Sequence, residues 1–341
     1  MSSDNFFSNF SLPRLLSPLA FFTLVCFTLI NGTVVFAQTQ DLPAEIFPDL
    51  KIGSDYYVGV KYLKDLGLVH GYPDGTFKAK QLINRAEALK ILVGAIPFHS
   101  FNPSEKPLAT LESSADATIK FTNETCPFPD LDQQAWYFSY ICQAFLNQVV
   151  AGYPEGTFKP EQTINKVEAL KMDLLQSGIS LHTTFTDNFD DISPNDWFWD
   201  YARIANQTSI IVEDRQGKLN ASEQLNRGDF AMLIYRTIKA FKNKSEFGRA
   251  TFYGGRFEGR GTASGETFTG SLDTAAHKTL PFNTVVRVTN LNNGKSIDVR
   301  INDRGPYVNG TIIDLSTSAF AKIASLSTGV IHSEVEILST P

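Results

Sequence analysis

Apolar positions along the chain fall into two regimes. From Phe47 to about Phe241 they recur three and four residues apart, the spacing of half-buried helices, in runs cut by Gly, Pro and Asp turns. From Arg249 onward they form short strand-like runs, "TVVRVTNL", "SIDVRIND", "GTIIDLS" and "HSEVEIL". Gly and Asn punctuate these runs, as in a compact barrel, and one helical stretch, "LSTSAFAKIASL", interrupts them. The short polar "KNKSEFG" between the regimes reads as a domain boundary.

The helical regime is an internal repeat. "FPDLKIGSDYYVGVKYLKDLGLVHGYPDGTFKAKQLINRAEALKIL" starts at Phe47, and "FPDLDQQAWYFSYICQAFLNQVVAGYPEGTFKPEQTINKVEALKM" at Phe128. A weaker third copy starts at Phe189 and reads as having lost the glycine turn. Each copy predicts a helix, a tight turn and a second helix whose N-cap is an Asn before a basic residue: Arg85, Lys166 or Arg227. The stretch between the first two copies is polar and aperiodic, an inserted loop. Trp136 and Trp197 occupy matching positions, where the first copy has Asp55. Packing between repeats is their expected role, with stacking on a sugar the alternative.

The doubled "GYP[DE]GTFK" with "IN[RK]xEALK" downstream resembles the S-layer homology (SLH) family. That resemblance implies an all-α bundle of three repeats that holds a protein on wall polymer, often an acidic glycan. Arg85, Lys166 and Arg227 would then face the anionic polymer, since equivalent cations could converge on one anion. The alternative is that they pair with Glu87, Glu168 and Asp229 nearby.

Bulk properties narrow the setting. A chain of 341 residues, 43% hydrophobic and 19% charged, is globular and long enough for two or three domains. A net charge of -6 argues against a protein built to coat nucleic acid. After Arg14 comes the apolar run "LLSPLAFFTLVCFTLINGTVVFA", which ends in Val35-Phe36-Ala37 and reads as a secretory signal with Gln38 as the mature start. An uncleaved anchor is the alternative. Export would leave Cys126 and Cys142, an even pair suited to one disulfide, with two buried thiols as the alternative. The five histidines are scattered, and neither metal nor organic cofactor is called for.

In the strand-rich region, "ATFYGGRFEGRGTASGETF", "TAAHKTLPFNT" and "VRINDRGPY", with "IIDLS" beyond, resemble the rare lipoprotein A (RlpA) family. That resemblance implies a six-stranded double-psi β-barrel, expansin-like in architecture, and lytic cleavage of peptidoglycan between N-acetylmuramic acid and N-acetylglucosamine. One acid protonates the leaving oxygen. As carboxylate it then takes the proton of the sugar's own 6-hydroxyl, giving 1,6-anhydro-MurNAc ends without water, unlike two-carboxylate glycosidases. Such an acid needs a raised pKa, and Ile301 and Ile313 are candidates for its apolar setting.

Asp303, in Asn-Asp-Arg-Gly-Pro, matches the family's acid, and Asp314 is its rival. Glu266 and His277 match other polar site residues: Glu266 to hold sugar or modulate the acid, His277 to bond carboxylate or substrate. Tyr253 could stack on sugar, and Arg304 could pair with Asp314 or bind substrate. The structural alternatives are a turn cap for Asp303, an ionised structural carboxylate for Asp314 and a satisfied core histidine for His277. No lipobox precedes Cys26, where Thr-Leu-Val stands, and the terminal peptidoglycan-binding module common in the family is not expected.

The expected organisation is a signal peptide at 1–37, repeats at 47–96, 126–178 and 189–241, an inserted loop at 97–125, a linker at 242–248 and the barrel at 249–339. The expected function is an exported, periplasmic, wall-tethered lytic transglycosylase. The expected partners are peptidoglycan strands and an anionic secondary wall polymer, with no nucleic acid and no membrane span after signal cleavage. A non-catalytic, expansin-like wall-binding protein and a structural envelope protein are the alternatives.

Overall fold

The computed structural model describes residues 46–98, 121, 125–179, 189–211, 217–308 and 310–341. The expected signal segment lies outside the described residues, as does the inserted loop apart from residues 97, 98, 121 and 125.

Each repeat supplies two helices: α1 (Tyr57–Asp65) and α2 (Arg85–Ala95), α3 (Phe138–Leu146) and α4 (Lys166–Ser177), α5 (Trp199–Gln207) and α6 (Arg227–Asn243). The second helices start where the Asn-basic pairs predict. Asn84, Asn165 and Asn226 each accept the backbone N–H three residues on, and Glu87 and Glu168 bond back to complete capping boxes. The aspartate of each Phe-Pro-Asp or Phe-Asp-Asp start closes the turn. Asp49 accepts from the N–H groups of Phe77 and Lys78, Asp130 from Phe158 and Lys159, and Asp191 from Leu219 and Asn220, all at 2.7–2.8 Å. The third repeat therefore keeps this clamp, and it keeps the turn's glycine as well: Gly217, at φ 76°, stands where Gly75 and Gly156 stand at 80° and 84°, which corrects the expectation that the glycine turn is lost.

Three equivalent residues meet at the centre. Ile83 N–H donates to Leu225 O, Leu225 N–H to Ile164 O, and Ile164 N–H to Ile83 O, a closed cycle among buried apolar residues. Isolated β-bridges flank the cycle, Leu82 with Asn226, Asn84 with Thr163 and Asn165 with Gln224, so the helices are held by bridges as well as by packing. Cys126 and Cys142 are disulfide-bonded, tying the start of the second repeat to α3.

The expected linker at 242–248 is not one. α6 runs to Asn243, Lys244 caps it in the left-handed conformation, and β1 (Glu246–Tyr253) begins two residues later. Phe247 is buried against Met232, Tyr235 and Leu291, which is why this polar-looking stretch is fixed. Glu334, 2% exposed, accepts a hydrogen bond from the Tyr235 hydroxyl, one from Ser245 Oγ at 2.8 Å and an ion pair from Lys239 at 3.1 Å. Burial opposes the Lys239 charge, but Glu334 and Glu336 outweigh it and hold its pKa above the ordinary value.

The remaining strands are β2 (Thr274–His277), β3 (Val285–Asn290), β4 (Ser296–Asp303), β5 (Thr311–Ser316) and β6 (Ile331–Ser339), with α7 (Thr317–Ile323) following β5. They close into a barrel in the order β1-β5-β2-β4-β3-β6, with β1·β5 and β2·β4 parallel. Ala250, Ala275, Val299, Ile301, Ile313 and Leu315 fill the interior together with α7. Alternation then turns Thr251, Ala276 and Asp314 to the outer face.

Candidate functional site

One row of the barrel's outer face carries the chemistry. In register lie Thr251 on β1, Asp314 on β5, Ala276 on β2 and Asp303 on β4. Asp303 reaches this row through a β-bulge. Ala275 pairs with Ile301 but Ala276 pairs with Asp303, so Asn302 is the extra residue that re-aims the aspartate. The two aspartates are two strands apart, about 10 Å between Cα atoms at ordinary strand spacing, with Ala276 on the strand between them and the Tyr253 hydroxyl near both.

Their surroundings differ. Asp303 is partly exposed, and its Oδ1 accepts the N–H groups of Ala263 and Arg304, each at 2.8 Å, which leaves Oδ2 free of such bonds. Asp314 accepts from Thr251 Oγ1 at 2.8 Å. Burial raises its pKa, the Thr251 bond opposes, and the Asp303 charge adds to the rise. Ile301 and Ile313 do not supply the apolar setting, because alternation points them into the barrel core. The wall is Tyr253, stacked on Phe268 with ring centroids 4.4 Å apart. Burial, then the charges of Asp303 and Asp314, hold the Tyr253 hydroxyl well above the usual tyrosine pKa. That hydroxyl is buried without a hydrogen bond of standard geometry, and the ring face is taken by Phe268, so Tyr253 is a wall rather than a free stacking platform. Tyr307, 80% exposed in the turn after Asp303, offers a free ring that sequence reading missed.

Glu266 is a clamped carboxylate. Arg300 binds it bidentately at 2.6 and 2.8 Å and Asn302 donates at 3.0 Å, so its pKa is lowered to about 2. It therefore fixes the bulge residue beside Asp303. Arg300 and Asn302 are further residues that sequence reading passed over, and their signal is the outward period of β4 next to the motif.

His277 touches neither aspartate. It is 2% exposed; its Nδ1 accepts from the N–H groups of Thr279 and Leu280, and its Nε2 lies 3.2 Å from Glu246 Oε2. Two N–H donors at Nδ1 put the proton on Nε2, so this is the satisfied core histidine. Arg304 does not pair with Asp314 either: it stacks on Phe282 at 3.8 Å and donates to the carbonyls of His277 and Asp303.

In the repeats, the three basic residues do not converge. Each reaches the turn of the next repeat in a cycle. Arg85, buried, donates to the carbonyls of Phe158 and Ala151. Lys166 bonds Leu219 O and Glu223, and Arg227, also buried, bonds Phe77 O and Glu87. Each takes its partner from the next repeat rather than from its own helix, and for Arg227 that partner is Glu87, the capping glutamate of the first repeat. Trp136 and Trp197 are not packed between repeats but are 51% and 57% exposed, with Lys90 and Lys171 over their rings. Trp197, Lys171, Arg85 and Tyr153 line a groove of about 230 Å³.

Comparison with known proteins agrees with this division. Residues 245–335 match the family model described as lytic transglycolase, and residues 46–89, 127–170 and 188–231 match the S-layer homology domain. The endolytic peptidoglycan transglycosylase RlpA of Pasteurella multocida is 50% identical over 103 residues, covering 30% of this chain and 35% of that one. The probable endolytic peptidoglycan transglycosylase RlpA of Synechocystis is 51% identical over 102 residues, covering 30% of each. The chain thus spans about a third of the length of these curated relatives. Among solved structures, the Streptomyces papain inhibitor (SPI) aligns at 29% identity with a TM-score of 0.24, covering 28% of this chain and 94% of that one. The C-terminal barrel belongs to the RlpA-like lytic transglycolase family, and it follows three S-layer homology domains.

Proposed function

We propose that this chain is an exported, wall-bound lytic transglycosylase that cuts peptidoglycan strands between MurNAc and GlcNAc and leaves 1,6-anhydro-MurNAc ends. The observation that carries the reading is the bulge at Asn302, which brings Asp303 into the same outer row as Asp314, over the small side chain of Ala276. A sugar chain lying across β2 would meet both carboxyl groups.

In this mechanism Asp303 is the group that meets substrate. Backbone N–H groups fix its Oδ1, and Oδ2, in the form of Asp303 that carries the acid proton, gives that proton to the glycosidic oxygen. The C1–O bond breaks, and the resulting carboxylate takes the proton from the muramic 6-hydroxyl as that oxygen bonds to C1. Asp314, whose burial favours its neutral form, limits the charge of the pair so that the row does not carry two full negative charges. Glu266 with Arg300 positions the bulge. Tyr307 is the exposed ring against which a sugar face could stack. The grooves rimmed by Trp136 with Lys90 and Trp197 with Lys171 hold wall polymer, aromatic faces to the sugar rings and ammonium groups to its acids. Arg85 and Arg227 shape the groove floors.

The test is mass spectrometry of purified peptidoglycan after incubation with the chain from Gln38 onward. Anhydro-muropeptides are expected with the wild type and not with Asp303→Asn. Co-sedimentation with the wall but no soluble product would refute the enzyme reading in favour of a glycan-binding barrel. Full activity in Asp303→Asn would move the acid to Asp314.

A further inference from the structure

The cycle of repeats creates three equivalent grooves, and one of them is unlike the others. At the groove of Arg85, the rim residues Trp197 and Lys171 face solvent beside Val149 and Met172. At the same positions around Lys166 stand Asp55 for the tryptophan and Met232 for the lysine, with Ile210 and Leu233 in the wall. Leu291, Asn292 and His332 of the barrel complete this third cleft. Met232 is 5% exposed and packs with Tyr235, Phe247 and Leu291. Asn292 donates from Nδ2 to Asp55 at 2.7 Å, and its carbonyl accepts from Gly53 N–H at 2.6 Å. At Gly294, in the same hairpin, a Cβ would lie 3.8 Å from the Tyr57 ring and 3.9 Å from Val58.

We infer that the third groove is the seat of the barrel's β3–β4 hairpin, so that the repeats have two faces for polymer and one for their own C-terminal domain. The valence of two rests on the polymer reading given above, whereas the seat does not. The substitutions are coordinated. The two positions that present an aromatic ring and a cation at an open groove have become a hydrogen-bond acceptor for Asn292 and an apolar contact for Leu291. A Trp at 55 would displace the Asn292 bond, and a Lys at 232 would place a cation among Tyr235, Phe247 and Leu291. Polymer binding would require neither change.

The Gly53 amide is a direct reporter, because its acceptor belongs to the barrel. Hydrogen exchange on the full chain tests the seat with Met232→Lys, a residue this fold accepts at the equivalent positions Lys90 and Lys171. Exchange at Gly53 and across Asn290–Gly294 is expected to speed up on the order of tenfold or more, as for a cation forced into an apolar contact. Lys171→Met should leave both unchanged. Unchanged exchange in Met232→Lys would overturn the seat. Asn292→Ala, which removes only the bond to Asp55, is the milder second variant and should speed Gly53 exchange with the repeats intact. Titration with oligosaccharides cut from the organism's own wall should then give two sites per chain, one lost with Trp136→Ala and one with Trp197→Ala. Three sites would overturn the inference. No binding, with Gly53 still protected by the hairpin, would refute the polymer reading while supporting the seat.

Discussion

Asp173 should make the repeats less stable as pH rises, and Asp173→Asn should remove that dependence. The side chain lies on α4 with no exposure; Oδ2 accepts from Thr237 Oγ1 at 2.5 Å, and Oδ1 has no hydrogen-bond partner among the described residues. Burial raises its pKa to about 8, against a smaller opposing effect of the Thr237 bond. An aspartate in an unfolded chain titrates near 3.9, so between about pH 4 and pH 8 folding takes up a proton. The stabilisation is complete below about pH 4 and is lost as pH climbs to about 8, at up to ~1.4 kcal/mol per pH unit. From pH 5 to pH 7 that is roughly 2.5–3 kcal/mol, a large share of a domain's net stability. The assay is urea unfolding followed by tryptophan fluorescence at those two pH values. All three tryptophans, Trp136, Trp197 and Trp199, lie in the repeats, so the signal reports that region. Other titrating groups are common to both proteins and cancel in the comparison. The same slope in wild type and Asp173→Asn would refute the reasoning, because the carboxylate would then have to be ionised in the fold.

Ala276→Leu should fill the space between Asp303 and Asp314 and lower peptidoglycan cleavage on the order of a hundredfold, measured well below the melting temperature, which should itself fall because Ala276 is only 4% exposed and the larger side chain overpacks it. Glu266→Gln should lower activity by loosening Arg300 and Asn302, yet leave the pH–rate profile above pH 4 unmoved. Glu266 loses its charge only as pH falls toward about 2, so a displaced acid limb would contradict the clamp. Reducing Cys126–Cys142 should destabilise the second repeat by about 3 kcal/mol, the value for a loop of this length, read by unfolding with and without dithiothreitol. Tyr307→Ala should raise KM for glycan strands several-fold with kcat nearly kept, since an exposed ring contributes binding rather than chemistry; an equal loss in kcat would place it closer to the reacting bond.

What could be read in the sequence was what local chemistry determines. The Asn caps and the paired cysteines announce themselves within a few residues or by parity, and each forms as expected. The misreadings share a cause, since each depended on a partner distant in sequence. Trp136 and Trp197 look like core residues until the next repeat leaves them on a groove rim. His277 looks available until Glu246, on another strand, occupies its Nε2. "KNKSEFG" looks like a linker because Phe247 is a single apolar residue whose burial depends on Met232 and Leu291. Asp303 could be named from its motif, but the bulge that aims it exists only in the count of residues against β2.

The short junction changes how the two parts can work together. A flexible linker would let the barrel sample many strands and act by raising local concentration. Here only Lys244 and Ser245 separate α6 from β1, and Glu334, almost fully buried, is bound by Tyr235, Ser245 and Lys239. In the barrel order β1-β5-β2-β4-β3-β6, β6 is three strands from β2 in either direction. The strand that carries Glu334 and the strand that carries Ala276 therefore lie on opposite sides of the barrel. The repeats hold the barrel by its back, and the row of Asp314, Ala276 and Asp303 faces away from them. On the proposed function, a glycan strand would be cut about one barrel width from the bound polymer, so selection among strands would follow orientation at the wall rather than linker reach.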